Sequence, residues 1–401
     1  SAVEFSEEGE LLATGDRGGR VVIFKKKKGK TEGKNAEYRF SMEFQSHEQE
    51  FDYLKSLEIE EKINQIRWLK PTNNAFFLLS TNDKTVKLWK LHDKKIRFYE
   101  EEEENANLTE TSLKPHFASD SIFMATPRKI FSNAHAYHIN SISLNSDGES
   151  FISADDLRIN LWNLEVTNRC FNIIDIKPQN MEELTEVITS ASFHPSNSNI
   201  LMYSSSRGIL RLTDMRESAL CETKARIFEA PEDPSKRSFF SEIVSSISDV
   251  MFSKNGQYMF SRDYLSLKIW DIKMEREPVQ TINIHEHLRS KLTDLYENDS
   301  IFDKFELSLS HSGNHVVTGS YGNVLKIFDK SGLQNTCLEV AKHPSKRHSQ
   351  RQGKNFRRRS INLVEKNGTI DFDKKVLHLS WSPVDEIIAV ASVNKLYIYS
   401  T

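Results

Sequence analysis

The chain has 401 residues, of which 38% are hydrophobic and 28% are charged, and its formal net charge is −3. This composition is that of a folded soluble protein, which excludes global disorder and gives no reason to expect nucleic acid as the main partner. No apolar run approaches the ~18 residues that a membrane span needs, and the first residues lack the features of a signal peptide. We therefore expect neither a nucleic-acid nor a membrane partner.

A short run of alternating apolar residues recurs seven times along the chain. Its copies end at Phe24, Trp89, Trp162, Thr213, Trp270, Phe328 and Tyr399. Two strand-like runs precede each ending, and a fourth follows some of them, such as residues 170–175 after the third copy. Four short antiparallel strands form one blade of a propeller. The pattern predicts an all-β fold, namely a single seven-bladed WD40-type β-propeller that spans residues 1–401.

The endings are 51 to 73 residues apart, longer than the ~40 to 45 residues of a WD repeat, so the blades carry long loop insertions. Residues 91–128 are predicted to form a hairpin arm on the second blade. Residues 340–372 include a run with eight Lys or Arg and no acid, predicted to be a solvated basic loop on the same face as the arm. The last blade lacks a fourth strand, and we expect residues preceding Ser1 in the intact protein to supply it.

In WD repeats, a histidine before the first strand, an aspartate in the turn before the third strand and a terminal tryptophan form a buried hydrogen-bonded set. The third copy offers His135, Asp156 and Trp162, although Asp155 is an alternative for the turn position. The corresponding residues of two other copies are Asp83 with Trp89, and Trp270. Removing such an aspartate would leave its partners unpaired, at a cost of ~1 to 3 kcal/mol.

Catalytic and metal-binding motifs are missing from the sequence. Residues 29–31 read GKT, but Phe24 stands where a Walker loop needs glycine. The three cysteines are far apart and form no C-x-x-C pair, which argues against a zinc site or a disulfide framework and is typical of a reducing compartment. We expect a cytoplasmic protein that is not an enzyme and has no metal or cofactor. For the basic run, nuclear targeting, which would add a nuclear location, and binding of an acidic partner are the alternatives to a solvated loop.

One face of the predicted propeller, here called the upper face, carries the loops between second and third strands and those between blades. Residues 45–62, 155–158, 176–186, 231–242 and 288–304 belong to it and mix acidic with apolar side chains. This mixture suits a basic, partly apolar peptide, because charge steers the encounter and buried anchors provide affinity. Packing of the aromatic residues onto the blades is the structural alternative.

Several segments closely resemble the propeller-type regulatory B subunit of protein phosphatase 2A. They include GELLATGDRGGRVVIF from Gly9, SADDLRINLW from Ser153, DIKPQNMEELTEV from Asp175 and LYENDSIFDKFE from Leu295. The resemblance implies a non-catalytic subunit of a heterotrimer. Such a subunit would sit on a helical-repeat scaffold A subunit beside a metal-dependent catalytic C subunit, and would select the phosphoproteins that are dephosphorylated.

The resemblance also implies an upper face that binds phosphoprotein substrates and inhibitors. Asp156 matches a substrate-groove aspartate, so the aspartate doublet would divide between recognition and blade architecture. Other candidates lie in well-matched upper-face segments, and they are Phe51, Leu54, Glu60, Glu61, Tyr137, Met181, Leu184, Phe239, Phe240 and Phe302. Arg17 stands at a position where a basic residue is usual in the family. The arm would dock on the scaffold, but its divergent sequence assigns no individual contact.

Two other classes of function remain open. A free-standing WD-repeat adaptor, such as a ubiquitin-ligase substrate receptor or a chromatin reader, would need no phosphatase scaffold. A propeller hydrolase would require a clustered metal or nucleophile site, which the sequence does not contain.

Overall fold

In a computed structural model of the chain, the described residues are 1–27, 37–53, 56–72, 75–95, 98–99, 115–116, 121–231, 238–332, 335–340 and 371–400. These residues form seven main sheets, of which the first six have four strands and the last has three. The structure is a seven-bladed β-propeller, which confirms the predicted fold class. The source of a fourth strand for the last blade stays a prediction.

The strands follow the repeat in chain order. The first blade contains β1 (Ala2–Phe5), β2 (Leu11–Gly15), β3 (Arg20–Lys26) and β4 (Tyr38–Gln45). The second contains β7 (Gln65–Trp68), β8 (Phe76–Thr81), β9 (Val86–Lys95) and β12 (Ser121–Phe131). The third contains β13 (Ser141–Leu144), β14 (Ser150–Ala154), β15 (Arg158–Asn163) and β16 (Cys170–Asp175). Two short hairpins interrupt this order, β5 (Glu50–Asp52) with β6 (Leu57–Ile59), and β10 (Phe98–Tyr99) with β11 (Pro115–His116).

The remaining blades repeat the arrangement. The fourth blade contains β17 (Ile188–Phe193), β18 (Ile200–Ser205), β19 (Leu210–Asp214) and β20 (Arg226–Phe228), and the fifth contains β21 (Ile247–Phe252), β22 (Tyr258–Asp263), β23 (Ser266–Asp271) and β24 (Gln280–Asn283). The sixth contains β25 (Leu307–Leu309), β26 (His315–Gly319), β27 (Val324–Asp329) and β28 (Asn335–Glu339). The seventh contains β29 (His378–Trp381), β30 (Ile387–Ser392) and β31 (Lys395–Ser400). Short helices lie in two of the connections between blades: α1 (Ser241–Ser245) precedes β21 of the fifth blade, and α2 (Leu292–Glu297) precedes β25 of the sixth. No helix in the described part of the chain is long and apolar enough to cross a membrane.

The sheets pack face to face around the ring. Second strands such as β18 are buried along most of their length, because neighbouring blades cover both faces of each sheet. The ring closes where Val3, Phe5 and Leu12 of the first blade pack against Ile387 and Ala389 of the last. Burial of these side chains stabilises the closed ring without any strand exchange among the described residues.

An inner belt of hydrogen bonds also joins successive blades around the central channel. In each of these bonds a polar side chain on a first strand, or directly before it in the case of Glu306, accepts the backbone N–H of the next blade's first strand. Ser143 accepts the Phe193 N–H at 3.0 Å, and Asp249 accepts the Leu307 N–H at 3.0 Å. The acceptors of this belt are Gln65, Ser141, Ser143, Asp249, Glu306, Ser308 and Ser380. Ser380 accepts from Phe5, so the belt spans the closure between the last blade and the first.

The inner belt gives the fold a specific pH dependence. Burial, followed by the negative charge of Glu306, raises the pKa of Asp249 to about 7. Because the folded state holds this proton more tightly than the unfolded state, the contribution of Asp249 to stability falls as pH rises from about 4 to about 7. We expect Asp249→Asn, whose amide oxygen can still accept the Leu307 N–H, to gain stability relative to the wild type as pH rises. Urea unfolding at both ends of this range would test it, and an unchanged difference would contradict it.

The arm and the basic insertion lie on different faces. β9 and β12 pair from Val86 with Phe131 to Lys95 with Ser121, and they form an arm on the lower face, opposite the upper face. The predicted position of the basic insertion on that same face is wrong. β28 ends beside the turn between β26 and β27, where Val340 donates to Asn323 and Asn323 donates to Lys374. The insertion therefore leaves and rejoins the blades on the upper face, and residues 341–370 themselves lie outside the described part.

Candidate functional site

The third blade contains a complete buried hydrogen-bonded set. The His135 Nδ1 atom lies 2.8 Å from the Asp155 carboxylate, and His135 Nε2 lies 2.6 Å from Ser153 Oγ. The Trp162 indole N–H donates to the same Ser153 oxygen at 2.8 Å. Burial alone would raise the pKa of Asp155, but the His135 hydrogen bond and the Leu157 and Arg158 amides lower it. This set ties the first, second and third strands together.

Two predicted members of such sets occupy other positions. Asp155, not Asp156, holds the turn of the third blade, because its Oδ1 accepts the N–H groups of Leu157 and Arg158. In the second blade Asn82, not Asp83, accepts the N–H groups two and three residues later. The Asp83 carboxylate instead accepts from the Asn64 side chain.

The three tryptophan-ended blades share a spacing that the sequence analysis missed. Each indole N–H donates to a serine nine residues earlier, and these serines are Ser80 for Trp89, Ser153 for Trp162 and Ser261 for Trp270. The turn residue stands seven residues before each tryptophan, namely Asn82, Asp155 and Asp263. Asp156 and Asp83, which the sequence analysis selected, stand six residues before their tryptophans and thus one residue after the turn residue.

Asp156 is a half-buried carboxylate at the upper face, next to the structural Asp155. Its main-chain oxygen accepts the Ile188 N–H at 2.7 Å, which fixes the residue between the third and fourth blades. No hydrogen bond to its carboxylate is found within the described residues. Burial raises the pKa of Asp156, the positive charge of Lys304 opposes this rise, and the charge of Asp155 adds to it. The carboxylate is therefore available to an incoming basic group.

Met181 and Leu184 lie on the connection between the third and fourth blades. A 3₁₀ turn spans Met181–Glu183, and the Asn180 side chain caps it by accepting the Glu182 N–H. The end of this connection is held by a two-pronged ion pair between Glu186 and Arg211, with a shortest distance of 2.5 Å. Met181 is exposed and Leu184 half-buried, so this fixed turn presents apolar side chains on the upper face.

Three predicted aromatic residues form one exposed cluster with a fourth that the sequence analysis missed. Phe239 and Phe240 have ring centroids 5.3 Å apart, and both rings lie about 6 Å from that of Tyr296, which in turn contacts Phe302 at 6.0 Å. Phe239 is 74% exposed and Phe302 55% exposed. Edge-to-face and tilted ring pairs of this kind stabilise one another but leave large apolar surfaces in water. We call these four residues the aromatic cluster.

A buried polar network supports the aromatic cluster from below. The Tyr321 hydroxyl lies 2.6 Å from the Ser300 carbonyl oxygen and 3.0 Å from the Asp303 carboxylate, which also pairs with Lys375 at 2.6 Å. The Tyr264 hydroxyl completes the network at 2.9 Å from that of Tyr321. The segment that carries Phe302 is thus fixed to the fifth, sixth and seventh blades.

The other candidates lie in the loops that surround the first two blades. Phe51 packs against Tyr53 on the hairpin of β5 and β6, not against the aromatic cluster, and Leu54 lies outside the described residues. Glu60 is exposed, and its carbonyl oxygen accepts from the Asn82 side chain. Tyr137 is half-buried.

Arg17 is exposed at a tight turn that borders Glu61. Gly19 ends this turn with φ of +77°, and a Cβ atom there would clash with the His47 carbonyl oxygen. Only glycine fits this close approach of two backbones, so the position of Arg17 follows from the local sequence.

A catalytic metal centre has no counterpart in the described residues, where no group of three or more His, Cys, Asp or Glu side chains could hold an ion. The described candidate residues on the upper face are exposed or half-buried acidic, basic and apolar side chains. Such an arrangement can bind a peptide, because it combines charge with apolar anchors.

Comparisons with known proteins place the chain in a family. Residues 125–163 match the WD domain, G-beta repeat family. The β-propeller domain of Cps50 (Swd1) from Myceliophthora thermophila shares the fold, with a TM-score of 0.60 and 12% identity over 100% of this chain and 96% of that one. Serine/threonine-protein phosphatase 2A regulatory subunit phr2AB from Dictyostelium discoideum is 49% identical over 100% of this chain and 93% of its own length. The chain belongs to the family of propeller-type regulatory subunits of protein phosphatase 2A.

Proposed function

We propose that this regulatory subunit recruits phosphoprotein substrates through its upper face to the phosphatase core enzyme. In this proposal the core enzyme consists of a scaffold A subunit and a catalytic C subunit, and this chain supplies no reacting group. The observation that carries the proposal is the exposed aromatic cluster, which would be costly to leave in water if it had no partner.

Charge around the aromatic cluster favours a basic partner. Asp294, Glu297 and Asp299 are exposed on the same insertion as Tyr296, and Glu242 is exposed beside Phe240. On the other side of the upper face, the free carboxylate of Asp156 and the exposed Glu60 extend the acidic surface. A substrate segment with Lys or Arg flanking an apolar residue would satisfy both features.

Rate enhancement would come from tethering. A substrate held on the upper face has a raised effective concentration at the catalytic subunit, so dephosphorylation accelerates by geometry alone. The arm formed by β9 and β12 lies on the opposite face, and it is the element that we assign to the scaffold. Substrate binding and assembly would then depend on separate surfaces.

Assembly is the first expected result to test. We expect the full chain, the scaffold A subunit and the catalytic C subunit to elute as one heterotrimer in size-exclusion chromatography with light scattering. The heterotrimer should dephosphorylate a basic-motif phosphoprotein faster than the two-subunit core does at equal catalytic concentration.

Two outcomes would contradict the proposal in different ways. Separate elution of a folded propeller would remove the phosphatase partner and favour the free-standing adaptor. Assembly without any gain in rate for any basic phosphoprotein would retain the partner but remove the recruiting role of the upper face. A short phosphopeptide without flanking basic residues is the matched control, since its rate should not change.

A further inference from the structure

The sixth blade places an amine directly opposite a thiol. Lys326 on β27 and Cys337 on β28 are register partners in an antiparallel pair, so their side chains project from the same face of the sheet. Directly opposed residues have Cβ atoms ~4.5 to 5.5 Å apart. The Lys326 Nζ atom donates to the Ile284 carbonyl oxygen at 2.8 Å, which shows that this face points toward the fifth blade.

The amine of Lys326 differs from that of a surface lysine. The pKa of Lys326 is lowered to about 8, chiefly by burial; the charge of Cys337 in its thiolate form opposes this, and the Arg262 guanidinium adds to it. At about pH 8 such an amine is roughly half neutral, whereas an ordinary lysine is less than about 1% neutral. A neutral amine that donates one N–H to Ile284 keeps its lone pair free for attack on a carbonyl carbon.

The thiol of Cys337 is free and partly exposed, whereas that of Cys221 is buried. This partial exposure makes Cys337, and not Cys221, the candidate for attack by a reagent from solvent. Exposed Cys170 is the third free thiol, but its register partner is Trp162, so no amine stands opposite it. Among the register pairs of the described strands, Lys326 with Cys337 combines an accessible thiol with an adjacent amine.

We propose that Cys337 and Lys326 form an acylation site that accepts acyl groups from small acyl thioesters. The Cys337 sulfur attacks the thioester carbonyl carbon, the donor's carbon–sulfur bond breaks, and the donor thiol leaves with the proton from Cys337. The Lys326 nitrogen then attacks the new thioester, an amide forms, and the released Cys337 sulfur takes the proton from the amine. Atoms and electrons balance without an oxidant, and the product is an uncharged acylated Lys326.

Proximity provides the physical reason for the second step. Transfer between two side chains on opposed strand positions is intramolecular, and it avoids the entropy cost of bringing two molecules together. Acylation removes the positive charge of Lys326 from the cleft between the fifth and sixth blades. The site is independent of the upper face and of the proposed recruitment.

To test the proposal, the intact chain is incubated with acetyl coenzyme A at about pH 8, and the acetylation of each lysine is measured by peptide mass spectrometry. Lys268 is the matched control, because it occupies the same strand position in the fifth blade but faces Thr281 and pairs with Asp263 at 2.5 Å. We expect acetylation of Lys326 to exceed that of Lys268 by about tenfold or more. Cys337→Ser should lower acetylation of Lys326 several-fold.

A second variant separates the two steps. Lys326→Arg should leave an acetyl group on Cys337 that hydroxylamine removes. Equal acetylation of Lys326 in the wild type and in Cys337→Ser would show direct attack and overturn the relay. Acetylation of Lys326 no greater than that of Lys268 would overturn the site itself. Thermal unfolding of each variant establishes that the blade is intact in these comparisons.

Discussion

Replacing Asp155 with alanine is expected to lower the free energy of unfolding by about 3 kcal/mol, the upper end of the range for buried groups left unpaired. Asp155 is completely buried, and its carboxylate accepts hydrogen bonds from the Leu157 and Arg158 amides and contacts His135. Alanine would leave two N–H groups and one imidazole nitrogen unpaired in the interior. Urea unfolding followed by tryptophan fluorescence would measure this loss, because Trp162 belongs to the same set.

The neighbouring aspartate provides the control for that measurement. The Asp156 carboxylate forms no hydrogen bond within the described residues, so Asp156→Ala should change stability by less than about 1 kcal/mol. Similar losses of stability in the two variants would show that either aspartate can hold the turn of the third blade. A large loss only for Asp156→Ala would mean that the roles assigned to the doublet are reversed.

The doublet illustrates what the sequence could and could not establish. The recurrence of one apolar strand pattern predicted seven blades, because each blade repeats the same strands and the pattern of each strand is local in the sequence. The turn residue was harder, since Asp155 and Asp156 have the same chemistry and differ only in register by one residue. The repeated spacing of Asn82, Asp155 and Asp263 before their tryptophans contained the answer.

The aromatic cluster shows a different limit. Phe239 and Phe240 come before the fifth blade, whereas Tyr296 and Phe302 come before the sixth, so the contact between them depends on how α1 and α2 pack. Tyr296 was missed because the burial of Leu292 and Leu295, which turns it outward, is a tertiary property. The face of the basic insertion was misjudged for a simpler reason. The direction of β28 decides it, and that strand was not identified in the sequence.

Reversing the charge of Asp156 should have the largest effect on recruitment. We expect Asp156→Lys to weaken binding of a basic-motif phosphoprotein by about tenfold or more, because it replaces attraction by repulsion at a half-buried position where screening is weak. Lys304, whose charge already acts on this carboxylate, would add to the repulsion. Fluorescence anisotropy with a labelled basic peptide at two salt concentrations would measure the loss of affinity. The affinity of the variant should also change less between the two salt concentrations than that of the wild type does.

Assembly separates this effect from general damage to the propeller. Asp156→Lys should still co-elute with the scaffold and catalytic subunits, because the arm of β9 and β12 lies on the opposite face. A peptide in which glutamate replaces the contacting basic residue should bind the variant better than it binds the wild type, since the new lysine then has an opposite charge. Unchanged affinity of the folded variant for the basic peptide would remove Asp156 from the binding surface. Recruitment would then depend on the aromatic cluster and its own acidic residues, Asp294, Glu297 and Asp299.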